Sequence, residues 1–168
     1  MAGEFTAALY GHSNPVILSA MNDVLQNVGM NVGATTAQER LFASEICNRF
    51  QMERMRFTNS GTEANLHALA AARKFTGKRK VVTFSGDYHG AVLTFSGGKP
   101  ASNNVDIDDW IVVKYNDLNA AKEAIQSPAV AAVLVEGMQG ANGCICGTSE
   151  FLHGIQQASS EVITCGTF

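Results

Sequence analysis

Nowhere in the 168 residues does an apolar run approach the ~18–20 residues of a membrane-spanning helix, so no span of that kind is expected. Positive charge is not in excess either. Twelve Lys and Arg face fifteen Asp and Glu, a formal net charge of −3, so no basic field exists to draw in nucleic acid or an anionic membrane. The stretch from Met1 to Tyr10 has no basic start followed by an apolar block, so no secretory signal of the usual form is expected there. Cysteine is sparse: Cys47, Cys144, Cys146 and Cys165 form no C-x-x-C pair, and the four histidines complete no metal-ligand spacing beside them. A reducing, intracellular (cytoplasmic) setting is therefore expected, with Cys47 as a small core hydrophobe; Cys144 and Cys146, one residue apart, read either as a redox-active pair or, by preference, as a chance placement on a loop. No G-K-[ST] follows a glycine loop at Walker spacing, and no dinucleotide fingerprint is present.

Hydrophobic residues, in contrast, make up 46% of the chain, which is incompatible with disorder. A chain of this size typically buries ~70% of the surface exposed when unfolded. Five segments read as helices. Asn14-Pro15 starts the first, with Ile17, Met21, Val24, Leu25 and Val28 at helical spacing up to Gly29. Thr36 to Glu39 is a capping box opening a second, predicted to bury Phe42, Ala43, Ile46, Cys47 and Phe50. The third begins at Ser60 and ends at Gly77, the fourth follows Asp117, and the fifth starts near Ser149 with Phe151, Leu152, Ile155 and Val162. Strands are predicted over 55–58, 81–84, 111–115 and 130–135. The alternation gives an α/β layered fold with a mostly parallel sheet. The longest surface loop is expected at 97–104.

Three segments carry chemistry. Asn59-Ser60-Gly61-Thr62-Glu63-Ala64-Asn65 follows a predicted strand and opens a helix. The helix N-terminus offers unpaired amides and the positive end of its dipole. Gly61 has no Cβ to keep an anion away, and Ser60 and Thr62 add hydroxyls, so this is a phosphate cradle without a lysine. An ordinary capped helix reads the same way. Tyr88 and His89, between Gly86 and Gly90, lie at a strand end, where an aromatic–imidazole pair suits stacking on a flat ligand or simply closes a turn. Glu136 ends an apolar strand and is either a site residue or a capping partner; Gly137, Gly140 and Gly143 are spaced differently from any nucleotide loop. His12, His67 and His153 read as packed or solvent-facing, and the basic residues from Arg73 to Lys80 suit the dipole at a helix C-terminus.

Taken in order, Tyr10-Gly11-His12-Ser13-Asn14-Pro15, the 59–65 segment, Ala72-Arg73 with Thr76-Gly77, Tyr88-His89-Gly90 and Glu136 with Gly140 resemble one family. It is that of the class III (fold type I) pyridoxal-phosphate aminotransferases, especially the glutamate-1-semialdehyde 2,1-aminomutase-like branch, matched from about Gly3 to Val162. The resemblance implies a three-layer α/β architecture, with residues 1–162 forming part of the large, cofactor-binding domain. It implies that Ser60, Gly61 and Thr62 hold the cofactor phosphate, that Tyr88 stacks on the pyridine ring with His89 beside it, and that Glu136 belongs to the polar shell. It also implies small-molecule amino donors and acceptors, and a homodimer with sites near the subunit interface. Gly137 stands where the family usually has proline, and Ala141 where aminomutase-like members often carry asparagine; both leave the substrate open.

The family's Schiff-base lysine and its pyridinium-pairing aspartate belong to segments after the fifth helix. There this chain reads Ile163-Thr164-Cys165-Gly166-Thr167-Phe168, a 163–168 tail without family character, of the kind a frame change or alternative splice produces. None of Lys74, Lys78, Lys80, Lys99, Lys114 and Lys122 lies at the family position. The expectation is a truncated family member that binds pyridoxal phosphate non-covalently at best, has no catalytic residue of its own and does not transaminate unaided. The alternative is a non-catalytic isoform that pairs with a full-length paralogue, for which the sheet edge left open beside 130–135 supplies a motive.

Overall fold

The computed structural model describes Glu4 and residues 7–162, with the side chain of Val162 left aside; the 163–168 tail and Cys165 lie outside the described residues. The chain divides into two compact units, Met1–Arg56 and Phe57–Phe168.

In the first unit, α1 (Pro15–Asn27) is capped by Asn14, whose Oδ1 accepts from the amides of Val16 and Ile17 at 3.0 and 3.3 Å. Helix α2 (Ala37–Phe50) is capped by Thr36, whose hydroxyl accepts from the Glu39 amide at 3.1 Å. Both helices stand where their caps predict. Their burial does not. Neither helix has a buried residue; Phe42 and Phe50 are 56% and 58% exposed, and Ala43, Ile46 and Cys47 are half-buried. An apolar stripe records which face a helix turns toward a partner; two short helices do not supply enough surface to cover each other's stripes.

The second unit is a layered α/β body. Helix α3 (Gly61–Thr76) runs from the Ser60 cap to Gly77, whose left-handed backbone (φ +68°) lets its amide reach the Arg73 carbonyl. There follow β1 (Lys80–Ser85), the hairpin β2 (Phe95–Ser96) and β3 (Lys99–Pro100), β4 (Trp110–Lys114), α4 (Leu118–Ile125), β5 (Val130–Val133), the pair β6 (Met138–Gln139) and β7 (Ile145–Cys146), and α5 (Ser149–Val162). The sheet order is β4-β1-β5, every pairing parallel. Strands buried on both faces read as continuous apolar runs, and β5 shows this with all four residues buried. Side chains of β1 alternate between two cores. Val82 and Phe84 pack with Tyr115, Ile125, Phe151 and Ile155 on the α4/α5 side, while Val81 packs with Leu69, Ala72, Phe95 and Trp110 on the α3 side. This gives three layers. Each such fully buried side chain contributes roughly 1.5–3 kcal/mol.

Three local expectations are corrected. Residues 55–58 belong to no strand of the described sheets; β-propensity alone does not make a strand. The 97–104 stretch is not one loop. Gly97 and Gly98, both at positive φ, make the tight tip of the β2–β3 hairpin, and Asn104 is buried, exchanging two hydrogen bonds with the Thr94 backbone. The basic cluster at the end of α3 does more than answer a dipole. Arg73 pairs with Asp106 at 2.5 Å and Arg79 with Asp109 at 2.7 Å, and Lys80 donates to the Asp108 carbonyl. The hydrogen bond from Arg79 holds the Asp109 carboxyl below the usual carboxylate range.

Candidate functional site

The site is built where β1 ends and α3 begins. Ser60 adopts extended backbone, and its hydroxyl accepts from the Glu63 amide at 3.1 Å. Glu63 reaches back, its Oε2 accepting from the Asn59 amide at 2.8 Å, and that hydrogen bond lowers its pKa below the ordinary value. The Ala64 amide goes to the Ser60 carbonyl at 3.0 Å. Of the helix's leading donors, the amides of Gly61 and Thr62 find no acceptor among the described residues. A Cβ placed on Gly61 meets no heavy atom within 4 Å. Two leading amides therefore remain without an acceptor among the described residues at the positive end of a 16-residue helix, and the space beside the Gly61 Cα is open.

The loop after β1 is fastened to this helix turn. The Thr62 hydroxyl accepts from the Ala91 amide at 3.2 Å, and Asn65 donates to the His89 carbonyl at 2.7 Å. Gly90 passes so close to Thr62 that a Cβ there falls 2.3 Å from Thr62 Oγ1. Tyr88 projects outward, 49% exposed, whereas His89 is 8% exposed, its Nε2 lying 3.1 Å from Asp87 Oδ2. Glu136 faces the loop from beyond β5. Its Oε1 accepts from the Tyr88 amide at 2.7 Å and its Oε2 from the Gly140 amide at 3.1 Å. Nearby, Tyr115 donates to the Glu136 carbonyl at 2.7 Å, and burial pushes the phenol up to about 12.

All six residues singled out from the sequence thus belong to one connected region: Ser60, Gly61 and Thr62 on the helix, Tyr88 and His89 on the loop, and Glu136 bridging to that loop. What sequence reasoning missed is the buried polar group beneath them. Asp87 is 1% exposed and Gln139 fully buried; Gln139 Nε2 donates to Asp87 Oδ1 at 2.7 Å and to the Ser85 carbonyl at 3.0 Å. Asn142 in turn donates to Gln139 at 2.9 Å. The available signal was weak, a charged residue directly before an aromatic at a strand end.

A second recess, about 320 Å³, lies by Lys114, Asn116, Asp117 and Thr148 near the starts of α4 and α5. There Asp117 accepts from Ala120 and Thr148 from Phe151, both at 3.1 Å, so each helix start is already capped by its own chain. Among the described residues no group of three or more His, Cys, Asp and Glu is placed to hold a metal ion, and no helix is long and apolar enough to cross a membrane.

The family model for class-III aminotransferases matches residues 1–162. This chain belongs to that family. Among curated relatives, the beta-phenylalanine transaminase of Variovorax paradoxus is 48% identical over 162 residues, covering 95% of this chain and 37% of the relative. The solved beta-phenylalanine aminotransferase from the same organism superposes with a TM-score of 0.89 at 46% identity, across 96% of this chain and 37% of that one. A glutamate-1-semialdehyde aminomutase variant from Pseudomonas aeruginosa, solved in complex with PMP, superposes with a TM-score of 0.83 at 26% identity over 95% of this chain and 38% of that one. The class-III aminotransferase chain thus spans well under half the length of these relatives. Its sheet and flanking helices have the fold type I architecture of pyridoxal-phosphate transferases, as the resemblance implied.

Proposed function

We propose that this class-III aminotransferase chain binds pyridoxal 5'-phosphate non-covalently through the start of α3 and the loop after β1. The amides of Gly61 and Thr62, with the hydroxyl protons of Ser60 and Thr62, hold the phosphate, and Tyr88 stacks on the pyridine ring. His89 and Glu136 are the polar residues adjoining it. One observation carries the proposal: two helix amides without an acceptor among the described residues, beside a glycine whose Cβ position is empty, lie on a turn bonded to the loop that presents Tyr88. The donors fit a phosphate, because the helix end supplies both hydrogen bonds and field. When bound, the cofactor supplies an aldehyde that takes up an amino group and a ring that withdraws electrons. The chain's part is to orient that ring and to hold the phosphate by hydrogen bonds at the positive end of the helix dipole.

The parent activity is amino-group transfer between an amino acid or amino ketone and a carbonyl compound; the 48% identity to a beta-phenylalanine transaminase favours an amino acid donor. None of the six lysines is hydrogen-bonded to the loop–helix tie; Lys80 donates to the Asp108 carbonyl and Lys99 stands exposed on β3. The proposal therefore assigns no transamination to these residues alone. Equilibrium dialysis against pyridoxal phosphate and against phosphate-free pyridoxal is the test. Loss of the charge-assisted bonds weakens pyridoxal by about tenfold or more. Equal binding of the two overturns the phosphate assignment.

A second reading, a subunit that pairs with another copy or with a longer paralogue, has its own support. Exposed apolar side chains crowd the first unit, among them Leu9, Val16, Met21 and Leu25, and among the described residues β5 is paired on one edge. Surfaces of that kind mark association. Co-expression with a full-length paralogue followed by size-exclusion chromatography tests it; a chain that never co-elutes is no partner.

A further inference from the structure

We propose that Asn65 and the buried Asp87–Gln139 pair are positioning residues that lock the 86–91 loop to the first turns of α3, so that the Tyr88 ring and the Gly61 and Thr62 amides present themselves as one rigid site. The inference rests on the cofactor reading above and adds to it residues that touch no ligand.

Extended backbone turns successive side chains to opposite sides, and Tyr88 pairs with Thr94 in an isolated antiparallel bridge. Its neighbours, Asp87 at 1% and His89 at 8% exposure, point inward; Tyr88, at 49%, points out. The direction of the ring thus follows from what holds those neighbours. A buried carboxylate is costly unless its oxygens are engaged. Here Oδ1 accepts from Gln139 at 2.7 Å, and Oδ2 lies 3.1 Å from His89 Nε2 and 3.4 Å from Thr83 Oγ1. An apolar pair packs a core as well without that cost. What the polar pair adds is direction, because rotating the loop breaks every one of these bonds. Gly86, at φ +101°, lets the chain pass within van der Waals reach of Gln139 and Asn142; a Cβ there falls 2.2 Å from Asn142 Nδ2.

The backbone around Tyr88 is fixed in the same way. Its own amide goes to Glu136, the His89 amide to the Leu93 carbonyl at 2.8 Å, and the His89 carbonyl receives Asn65. Asn65 lies four residues after Gly61, on the same face of α3. One helix face therefore carries the free amides at its tip and the tie to the tyrosine loop one turn behind. Severing that tie leaves the phosphate donors in place and frees the ring's support.

Asn65→Ala is the decisive variant, because alanine favours the helix and removes only the donor. Two measurements on the full chain are needed. In dialysis with pyridoxal phosphate, Asn65→Ala binds within about threefold of the parent, since the phosphate contacts remain. The circular dichroism induced in the bound cofactor, per molecule bound, falls by more than about half because the ring is no longer held in one orientation. Unchanged ellipticity per bound molecule overturns the positioning role, which a merely structural asparagine would also leave unmoved. In the unliganded chain, amide exchange at residues 88–91 speeds up by about fivefold or more on losing this bond, while Val82 and Val113 do not change. Equal exchange overturns the tie. If the tie is present by exchange while the parent chain takes up no pyridoxal phosphate, the cofactor reading fails and the mechanical coupling stands. Asp87→Asn, which keeps the shape and removes the charge, is expected to repeat both effects.

Discussion

Glu136 holds Tyr88 by its backbone: carboxylate oxygen Oε1 stands 2.7 Å from the tyrosine amide, across a separation of 48 residues. The other oxygen takes the Gly140 amide at 3.1 Å, so a single half-buried side chain joins the loop after β1 to the turn around β6. Removing it strands two donors at once. Glu136→Ala is expected to cost about 2 kcal/mol in urea unfolding, and Glu136→Gln, which keeps one acceptor oxygen, about half as much. Two variants of equal stability to the parent would show that solvent serves these amides as well.

The two glycines at the site answer to different demands. Gly90 has φ +140° and no room, its virtual Cβ lying 2.3 Å from Thr62 Oγ1 and 2.9 Å from Thr62 Cα. Gly90→Ala therefore meets both strain and a backbone clash, and about 2 kcal/mol or more of stability is lost. At Gly61 the backbone is ordinary and the space empty, so Gly61→Ala leaves stability within about 1 kcal/mol of the parent. The same methyl sits where the phosphate is proposed to approach. Urea melts alongside dialysis separate the cases: Gly90→Ala loses stability, while Gly61→Ala keeps it and loses pyridoxal phosphate affinity by about tenfold. A Gly61→Ala chain that binds as the parent does would move the phosphate elsewhere.

Local signals in the sequence carry most of the fold. Asn14-Pro15, Thr36 with Glu39, Ser60 with Glu63, and Gly77 mark helix ends because a cap is satisfied within a few residues. The apolar run at 130–135 marks a doubly covered strand for the same local reason, although its ladder extends only over Val130–Val133 before the Leu134 amide adds one more bond to Val82. What depends on distant partners is not legible. Nothing in the spacing of Phe42 and Phe50 tells whether their face is covered, and they are exposed. Asp87 and Gln139 are 52 residues apart, and no periodicity links them. At the site, the chemistry of the helix start is readable from Ser60 to Thr62, while its fastening to the tyrosine loop through Asn65 appears only once the sheet has brought the two together.

Tyr115 supplies a titration that reads the core rather than the site. The phenol is 8% exposed, lies edge-on to Phe84 and Phe151 with ring centroids 6.0 and 5.2 Å away, and donates to the Glu136 carbonyl. Burial, reinforced by the negative charges of Asp87 and Glu136, raises its pKa to about 12. The unfolded chain releases this proton near pH ~10, the folded chain about two units later. The folded form thus holds a proton the unfolded form has lost, and stability falls as pH rises through that window, by about 2–3 kcal/mol in all. Tyr115→Phe costs about 1 kcal/mol at neutral pH for the lost hydrogen bond and then shows a shallower alkaline decline. Urea melts at intervals from pH 9 upward compare the slopes; identical slopes would assign the shift to other groups.

Covalent capture of the cofactor is where the two halves of the proposal part. Imine formation needs a lysine amine placed next to the aldehyde. Among the lysines, Lys74, Lys99, Lys114 and Lys122 are exposed, Lys78 is half-buried at the end of α3's cap, and Lys80 donates to the Asp108 carbonyl. None is hydrogen-bonded to the Ser60 to Asn65 turn or to the tyrosine loop. Incubation with pyridoxal phosphate followed by borohydride is therefore expected to leave only substoichiometric label spread over several surface lysines, with the bulk of the bound cofactor removable by dialysis. Peptide mapping of the reduced chain reads this directly. A stoichiometric adduct on one lysine would mean that residue reaches the cradle after all, and the chain would then carry its own anchor for the ligand.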